Sequence, residues 1–167
     1  MLGTIIGDIV GSRFEFRNHR SKDFELFTPA CDFTDDSICT IAVADALLHK
    51  GDFTEYIHRW CRRYPNPMGS YGGRFAQWVA SDHPRSYGSF GNGSAMRVSP
   101  CGYLNSLEDV LKQAEASAVC SHDHPEGVRG AQIVAHSIWA LRHGATKSDI
   151  LQVAEDTYGY SVKNLRV

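Results

Sequence analysis

CDFTDDSICTIAVADALLHKG (residues 31–51) sets two adjacent carboxylates, Asp35 and Asp36, between the hydroxyls of Thr34 and Ser37, and a long apolar run follows at once. Ile38, Ile41, Ala42, Ala46 and Leu48 recur at helical spacing, and Gly51 suits a helix end. The stretch therefore reads as a helix that opens on two like charges. Either the carboxylates cap the helix, where the dipole and the orphan N–H groups favour acids, or they hold a cation. Capping needs one acceptor, and neighbouring carboxylates repel without a counter-charge. Hard cations such as Mg²⁺ take carboxylate and hydroxyl oxygens together with waters.

Helical patterns continue on both sides. LGTIIGDIVGSRFEF (2–16) puts Leu2, Ile5, Ile6, Ile9 and Val10 on one face, which predicts a core helix. Gly3, Gly7 and Gly11 recur every fourth residue, a stripe that suggests close approach by another backbone or a ligand. Asp52 and Glu55 start a third helix at capping-box spacing, and PNP (65–67) stops it. GGRFAQWVASD (72–82) is a short fourth helix. Ser106 and Asp109 open another, Pro125 begins the next with Gly144 as its stop, and SDILQVAEDTYGY (148–160) is the last. No alternating pattern is long enough for a sheet. The expected fold is all-α, one domain over residues 1–167.

Composition narrows the function classes. The chain has 167 residues, 43% apolar and 22% charged, enough for its own core. A net charge of -2 argues against nucleic acid as the main partner. No apolar run reaches the roughly 20 residues of a membrane span, and the N-terminus has no basic leader before Asp8. Cys31, Cys39, Cys61, Cys101 and Cys120 are odd in number and form no C-x-x-C pair, so reduced thiols in the cytoplasm are expected.

Three further groups could carry chemistry. Glu15 follows the glycine stripe; it is either a solvated helix-end acid or an inward carboxylate acting as general base. GSFGNGSAMR (88–97) is either a flexible loop or a cradle whose glycines let a phosphate approach, with Ser94 where a helix starts. It is neither a Walker A loop nor a dinucleotide fingerprint. His122, Asp123 and His124 lie too close together for a metal site of their own, so a phosphohydrolase built on them ranks low. Cap-and-turn roles for Asp123 and His124, and a ligand contact for His122, fit the spacing better.

GTIIGDIVGSRFEF, FTDDS, GNGSAMRVSP and SHDHPEGVRGAQ occur in the order and wording of the ADP-ribosylglycohydrolase family, the group related to dinitrogenase reductase-activating glycohydrolase. The resemblance covers nearly the whole chain and favours the cation over capping. It implies an orthogonal multi-helix bundle with two divalent ions, Mg²⁺ or Mn²⁺. The implied reaction is hydrolysis at the anomeric carbon of ADP-ribose, on a modified protein side chain or a small molecule. Thr34, Asp35 and Asp36 would bind the first ion, with Asp35 and Asp36 catalytic through it. Glu15 would be the catalytic base or a gate over the metals, and Asp8 would support the site from helix one. Gly91, Asn92, Gly93, Ser94 and Met96 would lie along the diphosphate and ribose, with His122 near the ligand.

The sequence also departs from that pattern. Relatives continue for about another hundred residues by the resemblance, and a late D-x-D-T motif there supplies the second ion. Here the only later Asp-Thr is Asp156-Thr157, in a helix end. The domain thus reads as C-terminally shortened, and a single ion is the reduced form of the site. Two functions follow as expectations: a metal-dependent ADP-ribosyl hydrolase, or an ADP-ribose-binding module without turnover. Apolar surface left open by the missing part implies a homo-oligomer or a complementing chain.

Overall fold

The computed structural model describes residues 1–161. The end of the closing YGYSVKNLRV stretch, 162–167, lies outside them. The described residues form α1 (Leu2–Gly11), α2 (Asp35–His49), α3 (Phe53–Arg63), α4 (Gly73–Ala80), α5 (Gly93–Arg97), α6 (Leu107–Val119), α7 (Pro125–Arg142) and α8 (Lys147–Asp156). Two 3₁₀ turns, Ser12–Phe14 and Ser99–Tyr103, join them. There is no strand among the described residues, only one isolated parallel bridge between Thr34 and Met68. The all-α class read from the sequence holds.

Side-chain caps set most helix starts. Thr34 accepts from the Asp36 N–H, Asp52 from Glu55, Ser106 from Asp109 and His124 from Glu126. Thr146 and Asp149 form a reciprocal capping box. Pro125 takes the first turn of α7, where its missing N–H has no helical acceptor to lose. The end of α2 differs from expectation. Lys50, not Gly51, adopts the left-handed cap, at φ 51°. Gly51 is needed for space, because a Cβ there would meet the Tyr56 ring.

The chain divides into two compact units, Met1–Arg85 and Ser86–Val167. In the first, Ile38, Cys39, Ala42, Val43 and Ala46 of α2 are buried, as are Phe53, Ile57 and Cys61 of α3. Ile38, Val43, Phe53 and Ile57 each contribute roughly 1.5–3 kcal/mol on leaving water, and the alanines less. Phe75 and Trp78 of α4 stack at 5.2 Å between centroids. In the second unit, Val110, Ala114 and Ala118 of α6 and Ala131 and Ala135 of α7 are wholly buried. Their small side chains allow close helix packing. Gly102 admits Ile138, since a Cβ there would stand 2.7 Å from the Ile138 Cβ.

α1 corrects one expectation. It is a helix, but none of its residues is buried. Leu2 is 80% exposed and Ile6 49%. Nothing lies within 4 Å of a Cβ built on Gly3, Gly7 or Gly11. Periodicity correctly gives α1 an apolar face, but the described elements cover only part of it: Ile5, Ile9 and Val10 are half-buried, while Leu2 and Ile6 stay exposed.

Candidate active site

In the first unit, four acids gather around the start of α2. Asp8, on α1, closes that end from outside the helix. Its Oδ2 accepts the backbone N–H of Thr34 at 2.9 Å and of Ser37 at 3.2 Å. Its Oδ1 accepts the Thr34 hydroxyl at 2.5 Å, and its Oδ2 also accepts the Ser37 hydroxyl. Thr34 in turn takes the Asp36 N–H at 3.2 Å. The orphan N–H groups of α2 are therefore served by Asp8 and Thr34. Among the described residues, neither Asp35 nor Asp36 takes a backbone N–H from another residue. The sequence left capping and cation binding open, and capping belongs to their neighbours.

Both carboxylates are half-buried. Burial, then the Asp36 charge, pushes Asp35 up to about 6. Asp36 is also pushed upward, first by burial and then by Asp8. Glu15 adds to both effects. It follows the 3₁₀ turn, where Ser12 ties α1 to the segment before Thr34: its hydroxyl donates to Ile9 O at 2.9 Å and accepts the Asp32 N–H at 3.1 Å. The Glu15 carboxylate rests against Gly69. A Cβ on Gly69 would stand 2.8 Å from Glu15 Cδ, and Gly69 has φ +81°. The next residue, Ser70, is also left-handed at φ 64°, an uncommon state for a residue with a Cβ. This turn follows Met68, which bridges to Thr34.

A separate cavity of about 180 Å³ lies near the other end of α2, lined by Asp45, Arg59, Trp60 and Arg63. Asp45 there accepts from Trp60 at 2.8 Å and Arg59 at 3.1 Å. It holds none of the residues singled out from the sequence.

The second unit holds the glycine loop. Gly91 and Asn92 are exposed, Gly93 and Met96 half-buried, and Ser94 wholly buried. The Ser94 hydroxyl is engaged, donating to Gly127 O at 2.7 Å. Gly127 lets the loop approach α7, since a Cβ there would meet Ser89 O at 2.7 Å. The lack of a side chain at Gly93 serves His122: a Cβ would stand 2.9 Å from its Nε2. Asp123 accepts the Gly88 N–H at 2.6 Å and His124 caps α7, so both have the cap-and-turn roles their spacing suggests. Burial, then the positive charge of Arg97, lowers His122 to about 4, with Asp123 opposing.

The sequence model of the ADP-ribosylglycohydrolase family matches residues 1–165. The chain belongs to the ADP-ribosylglycohydrolase family. It is 28% identical over 183 aligned positions to ADP-ribosylhydrolase ARH3 of Bos taurus, covering 89% of this chain and 50% of that protein. The Danio rerio ARH3 is 28% identical, covering 87% and 47%. ADP-ribosylarginine hydrolase Tri1 of Pseudomonas putida (strain GB-1) is 25% identical, covering 99% and 50%. The chain spans about half the length of the curated relatives it matches.

As a member of the ADP-ribosylglycohydrolase family, the chain can be tested for fit to a divalent ion. Among the described residues, no group of three or more His, Cys, Asp or Glu side chains is placed to hold one. The expected set is smaller: two carboxylates and a hydroxyl. Mg²⁺ commonly takes one or two carboxylates and keeps several waters. Asp35 and Asp36 are hard donors, not engaged in capping, and destabilised as anions by burial and by each other. A dication would relieve that strain, so the donor chemistry fits.

Sequence reasoning missed Gly69 and Ser70, and it passed over Arg97 and Ser121. A left-handed turn at Gly69 was legible from the glycine, but its contact with Glu15 depends on the fold. Nothing local marks an arginine for complete burial.

Proposed function

We propose that this chain carries part of the active site of a hydrolase that removes ADP-ribose from a modified protein side chain or a small molecule. The observation that carries the reading is the acidic pair of α2. Asp8 and Thr34 cap the helix, which leaves Asp35 and Asp36 half-buried, adjacent and outside that hydrogen-bonding task. Family membership and the names of the relatives give the pair a reaction.

In this reading Thr34, Asp35 and Asp36 hold Mg²⁺ or Mn²⁺. The bound ion supplies Lewis-acid polarisation of the substrate and of a water. Glu15, fixed against Gly69, takes the proton from the water that attacks the ribose anomeric carbon. Asp8 keeps the first turn of α2 in register, so that the acidic pair is aimed before substrate arrives. In the second unit, Gly91, Asn92, Gly93, Ser94 and Met96, with His122, receive the diphosphate and ribose. The loop's contribution is backbone approach, since the Ser94 side chain is already engaged.

The exposed apolar side chains of α1, Leu2 and Ile6, support a partner over that helix, a second copy of the chain or a complementing chain. The odd number of cysteines, none of them in a C-x-x-C pair, supports a cytoplasmic setting.

The test is calorimetric titration of ADP-ribose with and without Mg²⁺ or Mn²⁺, run beside release of ADP-ribose from an ADP-ribosyl-arginine peptide. Metal-dependent binding and release support the proposal. Metal-independent binding without release, or no binding at all, overturns it.

A further inference from the structure

Arg97, Ser121 and His122 form a buried chain in the second unit. Arg97, at the end of α5, has no measurable exposure, nor has Ser121, and His122 is 5% exposed. Arg97 Nη2 donates to Ser117 O at 2.7 Å, to Ser121 Oγ at 2.9 Å and to Cys120 Sγ at 3.4 Å. Ser121 Oγ lies 2.8 Å from His122 Nδ1.

The direction of each bond follows from what each group can do. A guanidinium has donors and no acceptor, so Ser121 Oγ must accept from Arg97. The serine has a single proton. Directed at Nδ1, it makes a 2.8 Å hydrogen bond to the imidazole lone pair. The opposite tautomer puts a proton on Nδ1, so that Ser121 Oγ accepts twice. The serine proton is then left with Cys120 Sγ at 3.9 Å, a poor acceptor. That arrangement loses a full hydrogen bond in a buried place. The doubly protonated ring meets the same obstacle and adds a second cation beside Arg97. The charged groups acting on His122 are Arg97 and Asp123, and Asp123 is engaged with Gly88.

We infer that Arg97 and Ser121 are positioning residues that fix His122 as its Nε2–H tautomer, turning a hydrogen-bond donor toward the glycine loop. The Nε2 edge sits against Gly93 and faces Gly91, where a Cβ would lie 3.8 Å away. The group it suits is an oxygen acceptor, a diphosphate oxygen or a ribose hydroxyl. This last assignment rests on the ADP-ribose reading given above; the tautomer does not. The role also accounts for a fully buried arginine beside a site for an anion. Its charge polarises the serine hydroxyl and strengthens the bond to Nδ1, while His122 itself remains an uncharged donor.

The experiment is nitrogen NMR of the full chain with ¹⁵N-labelled histidine at pH 7, His122 being assigned by the signal lost in His122→Asn. The expected spectrum shows a protonated Nε2 and an unprotonated, hydrogen-bonded Nδ1. Ser121→Ala should mix the tautomers, and Ser121→Thr, which keeps the hydroxyl, should restore the single one. Arg97→Met provides a second break in the chain, with a thermal melt to confirm folding. A wild-type ring protonated at Nδ1, or at both nitrogens, overturns the inference without any variant or ligand. Titration with ADP-ribose then tests the ligand assignment separately. Movement of the Nε2–H signal, and affinity weakened by up to about tenfold in Ser121→Ala, the size of one hydrogen bond, support it. An expected tautomer with no response to ADP-ribose overturns the ligand reading and leaves the relay standing.

Discussion

Asp8 and Thr34 are joined twice, through the Thr34 N–H at 2.9 Å and its hydroxyl at 2.5 Å. A residue of α1 therefore completes the N-terminus of α2, a cap supplied across the fold. Asp8→Ala removes acceptors from the N–H groups of Thr34 and Ser37 and from two hydroxyls. The expected loss is about 1–2 kcal/mol of stability, as for a strong N-cap. Because the acidic pair lies in that first turn, Mg²⁺ or Mn²⁺ binding should weaken as well. Urea melts with and without metal measure both. Unchanged stability would show that the Asp8 cap is dispensable.

Asp35→Asn should act in opposite directions on the metal-free and metal-loaded protein. The folded value of Asp35, about 6, lies above its ordinary 3.8. Ionised Asp35 therefore opposes folding above about pH 6, and this penalty is relieved as the pH falls toward 3.8. The amide removes it. At pH 7.5 the metal-free variant should be more stable by about 1 kcal/mol, a figure reduced for the half-exposed setting. Stabilisation by added Mg²⁺ or Mn²⁺, present in the wild type, should be lost. A thermal shift with metal as large as that of the wild type would remove Asp35 from the ligand set.

Gly69→Ala tests the seat of Glu15. The added Cβ meets the Glu15 carboxylate and must also occupy φ +81°. Left-handed backbone costs an L-residue about 1–2 kcal/mol. The variant should melt lower, with Glu15 displaced from its position beside the acidic pair. If Glu15 is the base, ADP-ribose release should fall in Gly69→Ala and in Glu15→Gln, while ADP-ribose affinity changes little. Full activity in both variants would rule out Glu15 as the base.

These relationships also show what the sequence could and could not convey. Helix starts at Asp52 and Ser106 were legible because a cap is local: the acceptor and the N–H it serves are three residues apart. The all-α class followed from the same local signals. The acidic pair was visible as chemistry, but its freedom from capping was not, because Asp8 is distant in the chain. The core reading of α1 failed for a related reason. Periodicity identifies an apolar face, whereas burial depends on a covering element that no residue of α1 encodes. Gly93 was legible as a small residue near a ligand loop. That His122 fills the space became visible only with α7 and its preceding turn in place.

On the acid limb of the stability curve, variants of His122 and Asp35 should separate two opposing titrations. His122 has a folded value of about 4 against an ordinary 6.5, so the unfolded chain binds the proton first. Its contribution is intact above about pH 6.5, declines as the pH falls, and is lost by about pH 4. At about 1.4 kcal/mol per pKa unit the loss has an upper bound near 3.5 kcal/mol. Asp35 has the opposite sign over an overlapping range, gaining stability from about pH 6 down to 3.8. The wild-type curve therefore mixes the two, and the variants resolve them. His122→Gln should flatten the decline between pH 6.5 and 4, whereas Asp35→Asn should steepen it. Denaturant melts at half-unit steps of pH give both differences. If His122→Gln leaves the slope between pH 6.5 and 4 unchanged, the histidine is not held uncharged by its surroundings, and the burial and Arg97 field assigned to it are wrong.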